Sequence, residues 1–157
     1  MSEKNVPNLS QGEIEKILKL EDTAVLCTAL QNEPYGVPIS YALLDGKIVF
    51  HCAIKGRKLD IIRKNPAVHL IVFRHPDGIA PHPEGDCKYR FESVFITGKA
   101  CIIEDVSDRL VWLKRFKKYF DERLNLPLDE NPVTEKAAEI CGCVVIEIEQ
   151  VSGRKKG

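Results

Sequence analysis

A chain of 157 residues, 44% hydrophobic and 29% charged, is long enough to close one core unaided, and its composition excludes disordered, fibrous and coiled-coil classes. Its 23 Lys+Arg balance 23 Asp+Glu, so the basic excess of proteins that wrap nucleic acid is missing. No apolar run approaches the ~20 residues of a membrane helix, and the polar start MSEKNVPNLS has no signal-peptide core. Six cysteines in such a chain point to reduced thiols in the cytoplasm, not to a disulfide framework.

Ser10-Gln-Gly-Glu13 has capping-box spacing, and Ile14, Ile17 and Leu18 follow on one face, which predicts a helix over 11–19. Strands follow at Thr23–Leu30, Gly36–Leu44 and Lys47–Ala53. Asp45-Gly46 between the last two is a hairpin signal, because both residues tolerate positive φ. A short helix over Gly56–Arg63 is stopped by Asn65-Pro66. Val68–Arg74 reads as a strand, and the Pro- and Gly-rich His75–Lys88 as a loop. Phe91–Glu104 reads as a long strand with a bend at Gly98. Ser107 is placed to cap a helix carrying Leu110, Leu113, Phe116 and Phe120 on one side. Residues 121–133 read as irregular, 134–140 as a short helix, and Gly142–Val151 as the last strand. Arg154, Lys155 and Lys156 read as a solvated tail.

Early hairpins and the lack of βαβ units argue for antiparallel pairing. The expected fold is one mainly β domain over residues 1–157 with flanking helices, its sheet closed or nearly closed into a barrel so that no strand edge is exposed.

Three segments carry candidate chemistry. In His51-Cys-Ala-Ile-Lys-Gly-Arg-Lys58 a strand ends, the chain turns at Gly56, and a helix opens with Arg57 and Lys58 at its mouth. Two cations oppose the helix dipole there, and a phosphate on the free N–H groups resolves the conflict; a surface turn with two solvated cations is the plainer alternative. In Val37-Pro-Ile-Ser-Tyr-Ala42, Pro38 marks a strand start, an edge or a bulge where backbone can meet a ligand; an ordinary strand is the alternative. Ser93, in a strand entry that turns from polar to apolar, can face a cofactor edge. Cys141 and Cys143 have no second pair or nearby histidine to complete a four-ligand metal set, and read as alternate residues on the inner face of a strand. His69 reads as structural, and His75 and His82 share the loop. No metal site is assigned.

Taken in order, Tyr35-Gly-Val-Pro-Ile-Ser-Tyr41, Asp45-Gly-Lys-Ile-Val-Phe-His-Cys-Ala53, Gly56-Arg-Lys-Leu-Asp-Ile-Ile62 and Tyr89–Ala100 resemble the FMN-binding split-barrel family that includes pyridoxamine 5′-phosphate oxidase. The closest likeness is to its nitroimidazole-resistance (Nim-like) branch. The resemblance implies a split barrel and a homodimer with FMN in clefts between subunits. It implies flavin contacts from Val37, Pro38, Ile39, Ser40, Tyr41 and Ala42, then from His51 and Cys52, with Arg57 and Lys58 gripping the phosphate. Ser93 stands where the oxidases carry a Gln near the flavin.

The function this implies is an FMN-dependent oxidoreductase working with a small organic donor or acceptor, such as a nitroaromatic or a quinone. Its rivals are a flavin-binding or sensor protein without turnover, and a haem-linked split barrel. No catalytic acid or base is assigned, because hydride transfer from a flavin needs none.

Overall fold

The computed structural model describes residues 8–76, 90–128 and 130–156. Most of the 75–88 loop, with His82 and Cys87, lies outside the described residues. Helix α1 (Gln11–Leu20) begins with the expected capping box: Glu13 N donates to Ser10 Oγ, and Ser10 N donates to the Glu13 carboxylate. Strand β1 (Thr23–Leu30) pairs antiparallel with β2 (Glu33–Ser40) through a turn at Gln31-Asn32, both at positive φ. The second hairpin, β3 (Ala42–Leu44) with β4 (Lys47–Ala53), turns at Asp45-Gly46 with φ of 51° and 73°, as expected. Then come α2 (Arg57–Lys64), β5 (Ala67–Arg74), β6 (Phe91–Ile102), α3 (Val106–Arg123), α4 (Glu135–Ile140) and β7 (Cys141–Lys156).

Several boundaries differ from the sequence reading. The strand expected over Gly36–Leu44 is two, interrupted at Tyr41, whose N–H donates to Asp22 O at 2.8 Å instead of to a neighbouring strand. Asp105, not Ser107, caps α3 by accepting from Asp108 N, and the helix runs on to Arg123. β7 continues five residues past Val151, because Arg154, Lys155 and Lys156 pair with Ser93, Glu92 and Phe91; the basic tail is strand. The expected bend in β6 is real: its register with β7 shifts between Thr97 and Gly98.

All seven strands join one antiparallel sheet in the order β2-β1-β5-β6-β7-β4-β3. The sheet is not closed into a barrel, contrary to expectation. Its two edges are β2 and β3, consecutive in the chain, and no ladder joins them among the described residues. The chain leaves β1 at Ser40 and takes up β4 at Ala42, so one passage supplies both edges and pairs each on one side only. These edges tolerate exposure for local reasons. Pro34 and Pro38 remove donors from β2, and β3 is only three residues long.

Alternation divides the side chains between two clusters. The inner face puts Leu26, Ile48, Phe50, Leu70, Ile96 and Ile146 at the centre of the main core, closed by Ile14 and Ile17 of α1 and Leu59 and Ile62 of α2. On the outer face of β3, β4 and β7, Ala42, Val49, Cys143 and Val145 pack under Leu113 and Phe116 of α3 and Ala138 of α4. Arg109 ties these helices to the sheet end; its buried guanidinium donates to the carbonyls of Ile103, Glu104 and Ala138 at 2.8–2.9 Å. The rest of the outer face is different. Val25, Ile71 and Phe95 form one row across β1, β5 and β6 and belong to neither cluster. Among the described residues no helix is long and apolar enough to cross a membrane.

Candidate functional site: the mouth of α2 and the outer face of β4

The chain leaves β4 through Gly56, the N-cap of α2, at φ 147°, a conformation that disfavours any side chain. Among the described residues no side chain caps this helix. Leu59 N and Asp60 N both donate to Gly56 O, at 3.0 and 3.1 Å. Arg57 and Lys58 therefore occupy the first turn, where helical N–H groups lack intrahelical acceptors. A Cβ on Gly56 would meet nothing within 4 Å, so the mouth is open.

The two cations are held differently. Arg57 lies 4.7 Å over the Tyr35 ring and 3.9 Å from the Glu33 carboxylate, and so leans on β2. Lys58 is half-buried and has no ion pair among the described residues. It lies close enough to Cys52 to oppose the rise that burial imposes on that thiol's pKa. Arg57 thus turns toward the first hairpin, while Lys58 stays within electrostatic reach of Cys52 at the end of β4.

Side-chain alternation sorts the other sequence candidates. Ile39 and Tyr41 are buried in the main core, and Val37 and Cys52 pack against it. Tyr41 anchors α1, its hydroxyl donating to Leu18 O at 3.0 Å, and burial pushes its pKa up. Only the backbone of these four residues is available to a ligand on the outer face. Pro38 and Ser40 are exposed there, in line with Ala42, which pairs with Val49. His51, two residues beyond Val49, points the same way and meets the Phe116 ring edge-on at 4.9 Å. Burial lowers its pKa, so the imidazole is neutral at pH 7.

Ser93 is not in this group. It pairs with Phe73 and Arg154, at the opposite end of β7 from the Cys143 that pairs with His51. It belongs to the uncovered outer face with Phe95.

Beside His51 the helices leave a cleft of about 330 Å³ walled by Phe116, Phe120, Val133, Ala137 and Cys141. Cys141 and Cys143 share the face under α3 and α4, not the inner face expected for them. Burial pushes both thiols up, Cys143 to about 12, so neither is a thiolate at neutral pH. The sequence reading placed Phe116 and Phe120 on the apolar side of α3, but it gave no sign of the cleft they wall.

The open antiparallel sheet thus carries a cationic helix mouth at the end of β4 and an apolar cleft beside His51. The chain belongs to the family described as pyridoxamine 5′-phosphate oxidase, whose model matches residues 10–155. Among solved structures it is similar to a FAD-binding protein from Mesorhizobium loti, with 25% identity, TM-score 0.73, and coverage of 98% of this chain and 99% of that one. A candidate 5-nitroimidazole antibiotic resistance protein from Bacteroides thetaiotaomicron matches at 19% identity and TM-score 0.74, covering 99% of this chain and 94% of that one. A FAD and heme binding protein from Mycobacterium smegmatis matches at 16% identity and TM-score 0.75, covering 94% and 71%. At these identities the last two show the fold alone. No curated protein matches the chain.

Proposed function

We propose that this chain is a flavoprotein that holds FMN and exchanges electrons with a small organic molecule. One observation carries the reading: the open, uncapped first turn of α2 presents Lys58 and Arg57 at the end of the strand that bears His51. A terminal phosphate has close to two negative charges at neutral pH, which two cations and a helix N-terminus match. Family membership and the FAD-binding relative from Mesorhizobium loti support a flavin.

When bound, the flavin supplies the redox chemistry, and the protein supplies binding, orientation and exclusion of competitors. Lys58 would meet the phosphate as a point charge and Arg57 as a donor fork. Ser40 and His51 line the outer face along which the ring would lie, with the backbone of Val37–Ala42 at its margin. A neutral His51 can donate one hydrogen bond without adding a positive charge.

The proposal includes a homodimer with the flavin between subunits. Its support is the uncovered row of Val25, Ile71 and Phe95, which a second copy would bury. Ser93, remote from His51 in its own chain, would then act on the flavin of the other.

The test is an absorption spectrum of the purified protein, followed by denaturation and identification of what is released. Flavin bands with released FMN are the expected result. Released FAD would correct the cofactor, and a Soret band would favour the haem-linked rival. A colourless protein that also refuses added FMN would sink the assignment.

A further inference from the structure

The apolar cleft beside His51 adjoins further open space along α3. A second cleft of about 440 Å³ runs along the outer side of that helix, and the two share Lys117, Asp121 and Val133. The inner half is walled by aromatic and aliphatic side chains. Among the described residues the outer cleft is lined by Lys114, Arg115, Lys117 and Lys118 with Asp121, and by Leu128, Pro132 and Val133. Two of these cations are engaged inside the protein, Arg115 with Asp45 and Lys117 with Asp121. Lys118 has only a loose partner, Glu122 at 3.8 Å, with both side chains more than half exposed. Lys114 has no ion pair among the described residues. The inner cleft therefore favours a flat apolar body, and the adjoining one presents Lys114 and the loosely held Lys118 among the described residues.

We infer that these two adjoining clefts together bind the organic redox partner, and that the partner is a planar apolar molecule carrying a carboxylate or similar anion. The ring enters beside His51, Phe116 and Phe120, and the anion lies toward Lys114 and Lys118. The inference rests on the flavoprotein reading only in calling the ligand a redox partner; the ligand's chemical class rests on the cleft itself. The size fits the class, since small-molecule sites commonly enclose ~300–1,000 Å³, mostly apolar with a few convergent polar groups. His51 joins the two sites, because it faces both this cleft and the outer face of β4.

The experiment titrates 2-naphthoate and its uncharged analogue 2-naphthylmethanol into the full chain, with and without FMN, by calorimetry and by fluorescence of Trp112 on α3. Naphthoate is expected to bind about threefold to tenfold tighter than the alcohol, a margin that shrinks with added salt. Lys114→Glu with Lys118→Glu should erase that margin and leave alcohol binding unchanged. Ala137→Leu should weaken both probes by about tenfold, because it fills the inner half. Should Ala137→Leu fail to fold, the lysine pair decides alone. Equal binding of the two probes to the wild-type chain, or binding indifferent to these variants, overturns the inference. So does one-for-one displacement of naphthoate by FMN, which would give the cleft to the flavin. Naphthoate bound selectively by a protein that takes no flavin would uphold the ligand class and overturn the flavoprotein reading.

Discussion

Arg57 and Lys58 are neighbours in sequence with unlike surroundings, and their substitution should separate them. Arg57 is already held by the Tyr35 ring and Glu33, whereas Lys58 is half-buried with no ion pair among the described residues. Lys58→Ala is therefore expected to weaken FMN binding by about 1.5–3 kcal/mol, the usual loss for a charge-assisted bond. Arg57→Ala should cost less, because the wild-type side chain must leave or share its existing partners. Fluorescence quenching of FMN on titration with each variant measures both, and unchanged affinity in Lys58→Ala would refute the phosphate assignment. The pair was legible in the sequence because Gly56 and the strand-to-helix change are local signals. Arg57's attachment to Tyr35 was not, since only the fold brings the first hairpin beside α2. His51 is a similar case. Alternation along β4 shows which face it takes, but the Phe116 ring against it comes from a distant helix, and the burial that lowers its pKa is set by the fold.

The elements that could be read correctly carry their instructions within a few residues. The capping box of α1, the Asp45-Gly46 turn and the stop at Asn65-Pro66 are all of this kind. The misread features depend on partners far along the chain. Nothing local ends β2 at Ser40; the break follows from the burial of Tyr41 and its bond to Asp22. Nothing local makes Arg154–Lys156 a strand; β6 supplies the partners. The same distance defeated the expected barrel, since alternating strands show that edges must be managed but not how. Gly98 gave a local hint of the bulge, and the structure explains why it must be glycine: a Cβ there would lie 2.2 Å from Glu147 O and 3.0 Å from an Ile146 methyl. Gly98→Ala is expected to destabilise the chain by about 1–3 kcal/mol, with the thermal midpoint falling roughly 2–4 °C per kcal/mol. Gly12→Ala in α1, where a Cβ meets nothing within 4 Å, should instead stabilise it by about 0.4–1 kcal/mol. Thermal melts of the two variants check the pair, and a Gly98→Ala midpoint equal to wild type would show that the β6–β7 contact yields freely.

At the scale of the whole molecule, coverage of the sheet is uneven. An antiparallel sheet with one wet face normally alternates apolar inside with polar outside. β5 does not: Val68, Leu70 and Val72 face the core, while Ile71 and Phe73 face outward, Phe73 with 55% exposure. The register extends this outward face into a row, Pro38–Val25–Ile71–Phe95, across four strands. The helices cannot cover it, because α1 and α2 close the main core and α3 and α4 lie over β3, β4 and β7. Val25, Ile71 and Phe95 are half-buried and Pro38 and Phe73 exposed, and an apolar band left partly open in this way suits an interaction surface. A second copy is the occupant we propose, because it would also bring Ser93 to a flavin that this residue cannot serve in its own chain. The wild-type protein is therefore expected to sediment at about twice 17.7 kDa. Ile71→Glu with Phe95→Glu should sediment at the single-chain mass and still fold, because neither side chain belongs to a core cluster. The same double variant should lose FMN affinity if the flavin lies between subunits, and keep it if each chain holds its own. Sedimentation of the wild-type protein at the single-chain mass, with FMN bound, would remove the dimer and leave Ser93 outside the site.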